Sequence, residues 1–457
     1  MKSDIHLLIN TTVLQSRKGT TPLSGTVRVP GDKSISHRAL MFGAMAQGET
    51  LISGLLEGED VMCTAAAMRA MGAKIIKGED GLWRCHGQGL GNLTEPSTVL
   101  DMGNSGTSTR LLMGIVAGHS ITACFTGDAS LIKRPMGRVI TPLEKMGASF
   151  IARSGGKPPF AMRGTGDLQP ITYELPVASA QVKSAILLAG LNARGTTTVI
   201  ETKPTRDHSE NMLRHFGVEV DITKTEEGDN AISVRGGQPM LGCAVDVPAD
   251  PSSAAFPVVA ALINAGSSIR LPRVGINPRR IGLYDTLIEM GADITFENKI
   301  IDAGEPVATL VVKSTRPLKG VNVPPERVPS MIDEFPILAM AATCAEGTTV
   351  MTDLAELRVK ESDRLLMVAN GLKACGVNLE MGEDWLKIHG TGKPPKGGAY
   401  IETALDHRIA MSFLVLGTVT DEPIAIDDAR PILTSFPNFI ELMTDLGVLI
   451  ESHQSAV

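Results

Sequence analysis

Six stretches of this 457-residue chain end alike: MRAMGA, LEKMGA, LRHFGV, LIEMGA, LKACGV and MTDLGV. Their glycines are Gly72, Gly147, Gly217, Gly291, Gly376 and Gly447, spaced 75, 70, 74, 85 and 71 residues apart. The residue four before each glycine is apolar (Met68, Leu143, Leu213, Leu287, Leu372, Met443), and so is the residue one before (Met71, Met146, Phe216, Met290, Cys375, Leu446). An i, i+3 apolar pair marks one face of a helix. A glycine just past the last such residue is a helix stop, because it takes the left-handed conformation cheaply. A period near 70 residues that recurs six times leaves few architectures open.

The other half of each period also repeats. A polar turn leads into an Ala/Leu-rich segment: SHRALMFGAMA, GTSTRLLMGIVAG, SAQVKSAILLAGL, SSAAFPVVAALI, DEFPILAMAATCA and DHRIAMSFLVLG. A turn, usually with Gly (Gly48, Gly127, Gly195, Gly266, Gly347), and then a β-branched strand are expected next, and one or two strands after the second helix. Each period reads as a βαβαββ unit. Its first helix is apolar nearly all round and must be buried. Six units exceed a single core of about 250–300 residues, so the expected fold is α/β (α+β), with two domains of three units each. The predicted break lies between Leu241 and Asp250. It gives one domain over 31–248 and another over 1–30 plus 249–457, completed by the N-terminal strand GTVRVP.

Polar residues before the six buried helices are not generic. They read GDKSISHR (31–38), GNSGTSTR (103–110), ASAQVKS (178–184), ADPSSA (249–254), MIDE (331–334) and DHR (406–408). Ser, Asn and Asp here can simply cap helices. Several helix N-termini facing one space also make an anion receptor. Lys33, Arg38, Arg110, Arg134, Lys183, Arg206, Lys360, Arg364 and Arg408 all fall at ends of apolar elements, where a cation is costly unless it meets an anion. The acid–base candidates are Asp333 and Glu334, Glu361 between Lys360 and Arg364, and His407. A carboxylate beside cations is held ionised, which suits a general base.

Several classes are excluded. A net charge of −7 and 4% aromatic residues argue against nucleic-acid binding. The longest apolar runs, such as Phe256–Ala265, are far short of about 20 residues, so no membrane span is expected. MKSDIHLLIN lacks the features of a signal peptide. The six cysteines form no CxxC pair and read as buried reduced thiols of a cytoplasmic protein. GDKS is not a phosphate-binding Walker loop, GQGLG has the wrong spacing for a dinucleotide fingerprint, and no metal-ligand cluster is visible.

Seven motifs in order, GDKSISHR, GNSGTSTR, KRPMGR, SAQVKSA, IDEFPILA, RVKESDR and DHRIAMSF, resemble the enolpyruvyl transferase family, within it the 5-enolpyruvylshikimate-3-phosphate (EPSP) synthases. The resemblance implies two domains of three βαβαββ units, an inside-out barrel arrangement, with the active site in the interdomain cleft. It implies that the enolpyruvyl group of phosphoenolpyruvate (PEP) passes to the 5-hydroxyl of shikimate 3-phosphate through a tetrahedral intermediate that loses phosphate. No cofactor or metal is implied. Glyphosate is the expected PEP-competitive inhibitor, and a monomer is expected.

Carried onto this sequence, the resemblance implies that Lys33, Ser34, Arg38, Ser179, Ala180, Gln181, Arg206, Asp333 and Lys360 hold shikimate 3-phosphate. Lys33, Gly106, Arg134, Gln181, Arg364 and Arg408 would hold PEP. Asp333 would take the hydroxyl proton, Glu361 would serve the PEP methylene, and Lys33 would bridge both substrates. Asn104 and His407 would support them. Much of the family has Lys where Thr434 stands, before SFP, so one PEP cation is missing. Two other readings stay in view. The sister transferase acting on UDP-N-acetylglucosamine usually has a loop Cys, which TGDASLIKRP lacks. A non-catalytic anion binder would be expected to lose Asp333, Glu361 or Lys33, and all three are present.

Overall fold

The computed structural model describes residues 13–452. MKSDIHLLIN and the outer ends of the expected second domain fall on 1–12 and 453–457, outside the described residues. The fold is mixed α/β and forms two units. The first unit comprises Gly31–Pro248 with Ile301–Glu305. The second comprises the described residues up to Pro30, Ala249–Ile300 and Pro306 onward.

The chain starts in the second unit with β1 (Leu14–Arg17) and β2 (Ser24–Thr26). Three repeats then build the first unit. They are α1 (Lys33–Met45), β3 (Gln47–Ser53), α2 (Glu59–Ala70), β4 (Lys74–Lys77) and β5 (Trp83–Gln88); next β6 (Leu100–Asp101), α3 (Gly106–Ala117), β7 (Thr122–Thr126), α4 (Gly137–Met146), β8 (Ser149–Arg153) and β9 (Lys157–Arg163); then β10 (Thr172–Glu174), α5 (Ala180–Gly190), β11 (Thr196–Glu201), α6 (His208–His215), β12 (Val220–Lys224) and β13 (Asn230–Arg235). β14 (Ala244–Asp246) returns to pair parallel with β3. It stands in the first repeat's sheet where β6 and β10 stand in theirs, giving the orders β14-β3-β5-β4, β6-β7-β9-β8 and β10-β11-β13-β12.

The second unit repeats the plan with α7 (Pro251–Ile263), β15 (Ser268–Gly275), α8 (Gly282–Glu289), β16 (Asp293–Asp302) and β17 (Glu305–Lys313); with α9 (Phe335–Cys344), β18 (Glu346–Met351), α10 (Arg364–Ala374), β19 (Leu379–Met381) and β20 (Leu386–Thr391); and with β21 (Tyr400–Ile401), α11 (His407–Leu416), β22 (Ile424–Ile426), α12 (Phe439–Asp445) and β23 (Leu449–Ser452). β2 supplies the parallel leading strand of the fourth repeat, against β15. In the sixth repeat β1 lies antiparallel between β22 and β23, in the position that the repeat's own last strand fills elsewhere.

GTVRVP contributes to the second unit only at its start, in the fourth repeat's sheet. The segment that completes the sixth sheet is LQSR, and only Ser24–Thr26 of the later stretch forms a strand, in a different sheet. Leu14 and Ser16 point inward and Gln15 and Arg17 outward, an alternation too short and polar to stand out in sequence. Gly127 also departs from its expected place, following β7 rather than preceding it.

All six stop glycines adopt positive φ, from 83° at Gly376 to 113° at Gly147. Each ends the outer helix of its repeat, where a side chain would be strained. The first helix of each repeat is buried, as its composition demands. In α7 every residue from Pro251 to Leu262 is buried. Burying a Val, Leu, Ile or Phe side chain is worth roughly 1.5–3 kcal/mol, so six such helices contribute strongly to the two cores, together with the strands and outer helices packed on them. Each unit has its own continuous core, around α1, α3 and α5 in the first and α7, α9 and α11 in the second. All six cysteines are free; Cys85 and Cys375 are buried, but Cys124 is exposed, against expectation. Among the described residues no helix is long and apolar enough to cross a membrane.

Candidate active site

Five of the six buried helices are capped by a side chain of their own polar motif. The caps are Asp32, Ser105, Ser179, Asp250 and Asp406, each accepting from a backbone N–H two or three residues on. The cap reading is therefore correct for these residues. It does not exhaust the motifs, because the neighbouring side chains tie the helix starts to one another.

In the first unit, His37 of α1 meets Thr64 of α2 at 2.8 Å, and Thr64 meets Ser108 of α3 at 2.6 Å. Arg110 of α3 donates to Gln181 Oε1 of α5 at 2.5 Å, and Gln181 Nε2 donates to Thr107 at 2.9 Å. Arg38 of α1 donates from Nη2 to Ser184 of α5 at 3.0 Å and from Nε to Ser209 of α6 at 2.9 Å. The starts of α1, α3 and α5 thus share one hydrogen-bonded region. It contains Lys33, which pairs with Asp60; Ser34, whose carbonyl accepts from Arg38; Ser179 as cap; and Ala180 as the first residue of α5.

Arg38 is a strained cation. Burial lowers its pKa to about 10, against the support of Glu210, Asp32 and Glu305, and the nearby Arg206 lowers it further. Two guanidiniums close enough to oppose each other, one of them buried, suit a site that receives an anion. Arg134 donates to Asn104 Oδ1 at 2.7 Å and to Ser130 at 3.0 Å, while Asn104 donates to Asp128 at 2.6 Å. Gly106 lies beneath this pair: a Cβ there would stand 3.1 Å from Arg110 Nη1 and 3.3 Å from Arg134 Nη1.

In the second unit the centre is Arg364, the first residue of α10 and 1% exposed. Its Nε donates to Asp406 at 2.8 Å, Nη1 to Asp333 at 3.2 Å and Nη2 to Glu361 at 2.5 Å. Burial works against its charge, but Asp406, Glu361 and Asp333 outweigh that and hold its pKa above the ordinary arginine value. Lys360 pairs with the same Asp333 oxygen at 3.2 Å. Arg408 donates to the Asp333 carbonyl at 3.0 Å and to Glu334 at 3.2 Å. Ser252, at the start of α7, donates to the same Glu334 oxygen at 2.5 Å. His407 is the buried first residue of α11. Thr434 donates to the Pro431 carbonyl at 2.7 Å and brings no charge.

Every expected site residue therefore falls into one of two groups. Lys33, Ser34, Arg38, Asn104, Gly106, Arg134, Ser179, Ala180, Gln181 and Arg206 belong to the first unit. Asp333, Lys360, Glu361, Arg364, His407 and Arg408 belong to the second. Sequence reasoning took Asp333 and Glu361 as the main acids near these cations. The structure adds Asp60 and Asp406, both buried, and buries the candidate Glu334 as well. Asp406 was legible only as a cap, and its grip on Arg364 carried no sequence signal.

The family model for EPSP synthase (3-phosphoshikimate 1-carboxyvinyltransferase) matches residues 17–443. The chain is 62% identical over 437 residues to the 3-phosphoshikimate 1-carboxyvinyltransferase of Paramagnetospirillum magneticum, covering 96% of this chain and 98% of that one. It resembles the solved structure of EPSP synthase from Acinetobacter baumannii with a TM-score of 0.87 and 48% identity, over 97% of this chain and all of that one. The enolpyruvyl transferase NikO from Streptomyces tendae shares the fold, with a TM-score of 0.77 at 18% identity over 97% of this chain and all of that one. With its helix starts, charges and repeats arranged as described, this chain belongs to the EPSP synthase family.

Proposed function

We propose that this chain transfers the enolpyruvyl group of PEP to the 5-hydroxyl of shikimate 3-phosphate, and that the two groups of residues serve that single reaction. The observation that carries the reading is the set of bonds made by Arg364. One guanidinium holds Asp333 on Nη1 and Glu361 on Nη2, so two carboxylates suited to separate proton transfers are fixed relative to each other. Asp333 takes the proton of the attacking hydroxyl. Glu361 delivers a proton to the PEP methylene and recovers one as phosphate leaves. A positioned acid or base contributes typically 10²–10⁴-fold.

The remaining residues position and neutralise. Arg38, Arg206, Lys33, Ser34, Ser179, Ala180, Gln181 and Lys360 hold shikimate 3-phosphate, and the buried, opposed charge of Arg38 beside Arg206 supports its phosphate there. Arg134, Arg408, Gln181 and the backbone near Gly106 hold PEP. Arg364 adds charge, and a PEP oxygen that binds it takes over one of its present carboxylate bonds. Such fixed charges favour the anionic transition state without reorganisation. Free cysteines throughout suit the reducing cytoplasm in which we place the reaction.

The test is direct. Mixing purified protein with shikimate 3-phosphate and PEP releases inorganic phosphate in an amount matching the new enol ether. No release at saturating substrates overturns the reading. Release with UDP-N-acetylglucosamine in place of shikimate 3-phosphate would assign the sister activity instead.

A further inference from the structure

Lys183 lies on the second turn of α5, just beyond Ser179, Ala180 and Gln181, and is 0% exposed. Its ammonium pairs with Glu201 at 3.0 Å and Glu210 at 2.6 Å, both buried. Glu201 is the last residue of β11 and Glu210 lies on the first turn of α6. The six residues between β11 and α6 are TKPTRD, and they carry Arg206. A single buried ammonium thus holds both ends of the Arg206 segment. Glu201 Oε2 also accepts from Thr205 twice, from its backbone N–H at 3.1 Å and its hydroxyl at 2.8 Å. The segment is therefore folded back onto its own strand one residue before Arg206.

The same cluster reaches Arg38. Ser209, next to Glu210, accepts from Arg38 Nε and donates to Ser184, next to Lys183, at 2.7 Å. Burying three charges costs several kcal/mol per ion before pairing, and well-packed apolar residues often do as well or better for stability. The triad serves stability poorly, then, and what it does supply is a fixed relation among α5, Arg38 and Arg206.

We infer that Glu201, with Lys183 and Thr205, is a positioning clamp that fixes Arg206 against Arg38 for the phosphate of shikimate 3-phosphate. This rests on the function proposed above and adds residues to it. The clamp touches no substrate; it acts through Arg206. Its contribution is pre-organisation, so losing it weakens binding of the phosphate-bearing substrate and leaves PEP and the chemical step alone.

Thr205→Val removes the hydroxyl donor at nearly constant shape, and Thr205→Ser restores it. Thr205→Val is expected to raise the KM for shikimate 3-phosphate about tenfold, with kcat and the KM for PEP changed by less than about twofold. Thr205→Ser is expected to behave like the parent chain. Equal rises in both KM values, or no difference between the two variants, overturn the clamp. Calorimetric titration of shikimate 3-phosphate alone reads the same loss of affinity without turnover. If the parent chain released no phosphate, the proposed function would fail, while the titration of the two variants would still judge the clamp.

Discussion

Asp406 grips Arg364 with both carboxylate oxygens, Oδ2 at 2.8 Å from Nε and Oδ1 at 3.4 Å from Nη2, and both side chains are buried. The same Oδ1 caps α11 by accepting from the N–H of Arg408 at 2.9 Å. One carboxylate thereby orients the arginine that holds Asp333 and Glu361 and fixes the helix turn that carries Arg408. Asp406→Ala removes one partner of a fully buried pair, which typically costs about 3–5 kcal/mol. A urea denaturation midpoint well below that of the parent is the expected outcome. Asp406→Asn keeps a cap oxygen, so it should recover part of that stability while kcat stays depressed. Full activity in the folded Asn variant would show that the grip on Arg364 is immaterial to the chemistry.

Arg408 is bonded to the Asp333 carbonyl and to Glu334, and its proposed ligand is PEP. Removing a charged hydrogen bond to a ligand costs roughly 1.5–3 kcal/mol, about 10–150-fold. Arg408→Ala should raise the KM for PEP by that order and the KM for shikimate 3-phosphate by much less. Steady-state kinetics with each substrate varied in turn would decide; parallel rises would contradict the assignment.

At Gly106 an added methyl meets two guanidinium ends rather than backbone. Those ends can yield by a few tenths of an ångström, so Gly106→Ala should fold normally. The methyl would displace the ends of Arg110 and Arg134, and Arg134 is a proposed PEP ligand, so glyphosate, expected to compete with PEP, should suffer. A rise of about tenfold or more in its inhibition constant, against a smaller change in the KM for PEP, is the expected result. An unchanged inhibition constant would mean that the inhibitor does not approach this turn.

His37 is completely buried, and its pKa is pushed well below 6.5 by burial first, then by Lys33 and Arg38. It remains neutral in the folded chain while the unfolded chain takes up a proton below about pH 6.5. Its stabilising effect is therefore complete above pH 6.5 and is lost as the pH falls, by up to about 1.4 kcal/mol per pH unit. His119, lowered chiefly by burial, adds to the same slope. His37→Asn should flatten the fall in urea midpoint between pH 6.5 and 5.5. An equal slope in parent and variant would assign the loss to other groups.

Much of the fold was legible because its punctuation is local. A glycine with positive φ and an apolar pair four and one residues before it can be read from a few letters, and all six such stops are where they were expected. The strand LQSR was not legible, because two buried side chains make no pattern, and its partners Ile424–Ile426 and Leu449–Ser452 are more than 400 residues away. The site shows the same division. Lys33, Arg38, Arg364 and Arg408 announce themselves as cations beside apolar helices. Asp60, Asp406 and Glu201 look like ordinary acids in sequence, since a carboxylate's letters do not reveal whether it faces water or a cation. Lys183 was read as a cation in want of an anion, and the anions it meets are the protein's own.

The position of β1 between β22 and β23 sets an order in time. A ribosome makes Leu14–Arg17 first and both of its partners last, so at about 5–20 residues per second β1 waits roughly 20–80 s for a sheet. Residues 31–248 are complete well before then and can finish their own three sheets while translation continues. The last repeat closes only when the earliest strand is recovered, so a nascent chain stalled before residue 424 holds one finished unit and one whose opening strand is still without its place.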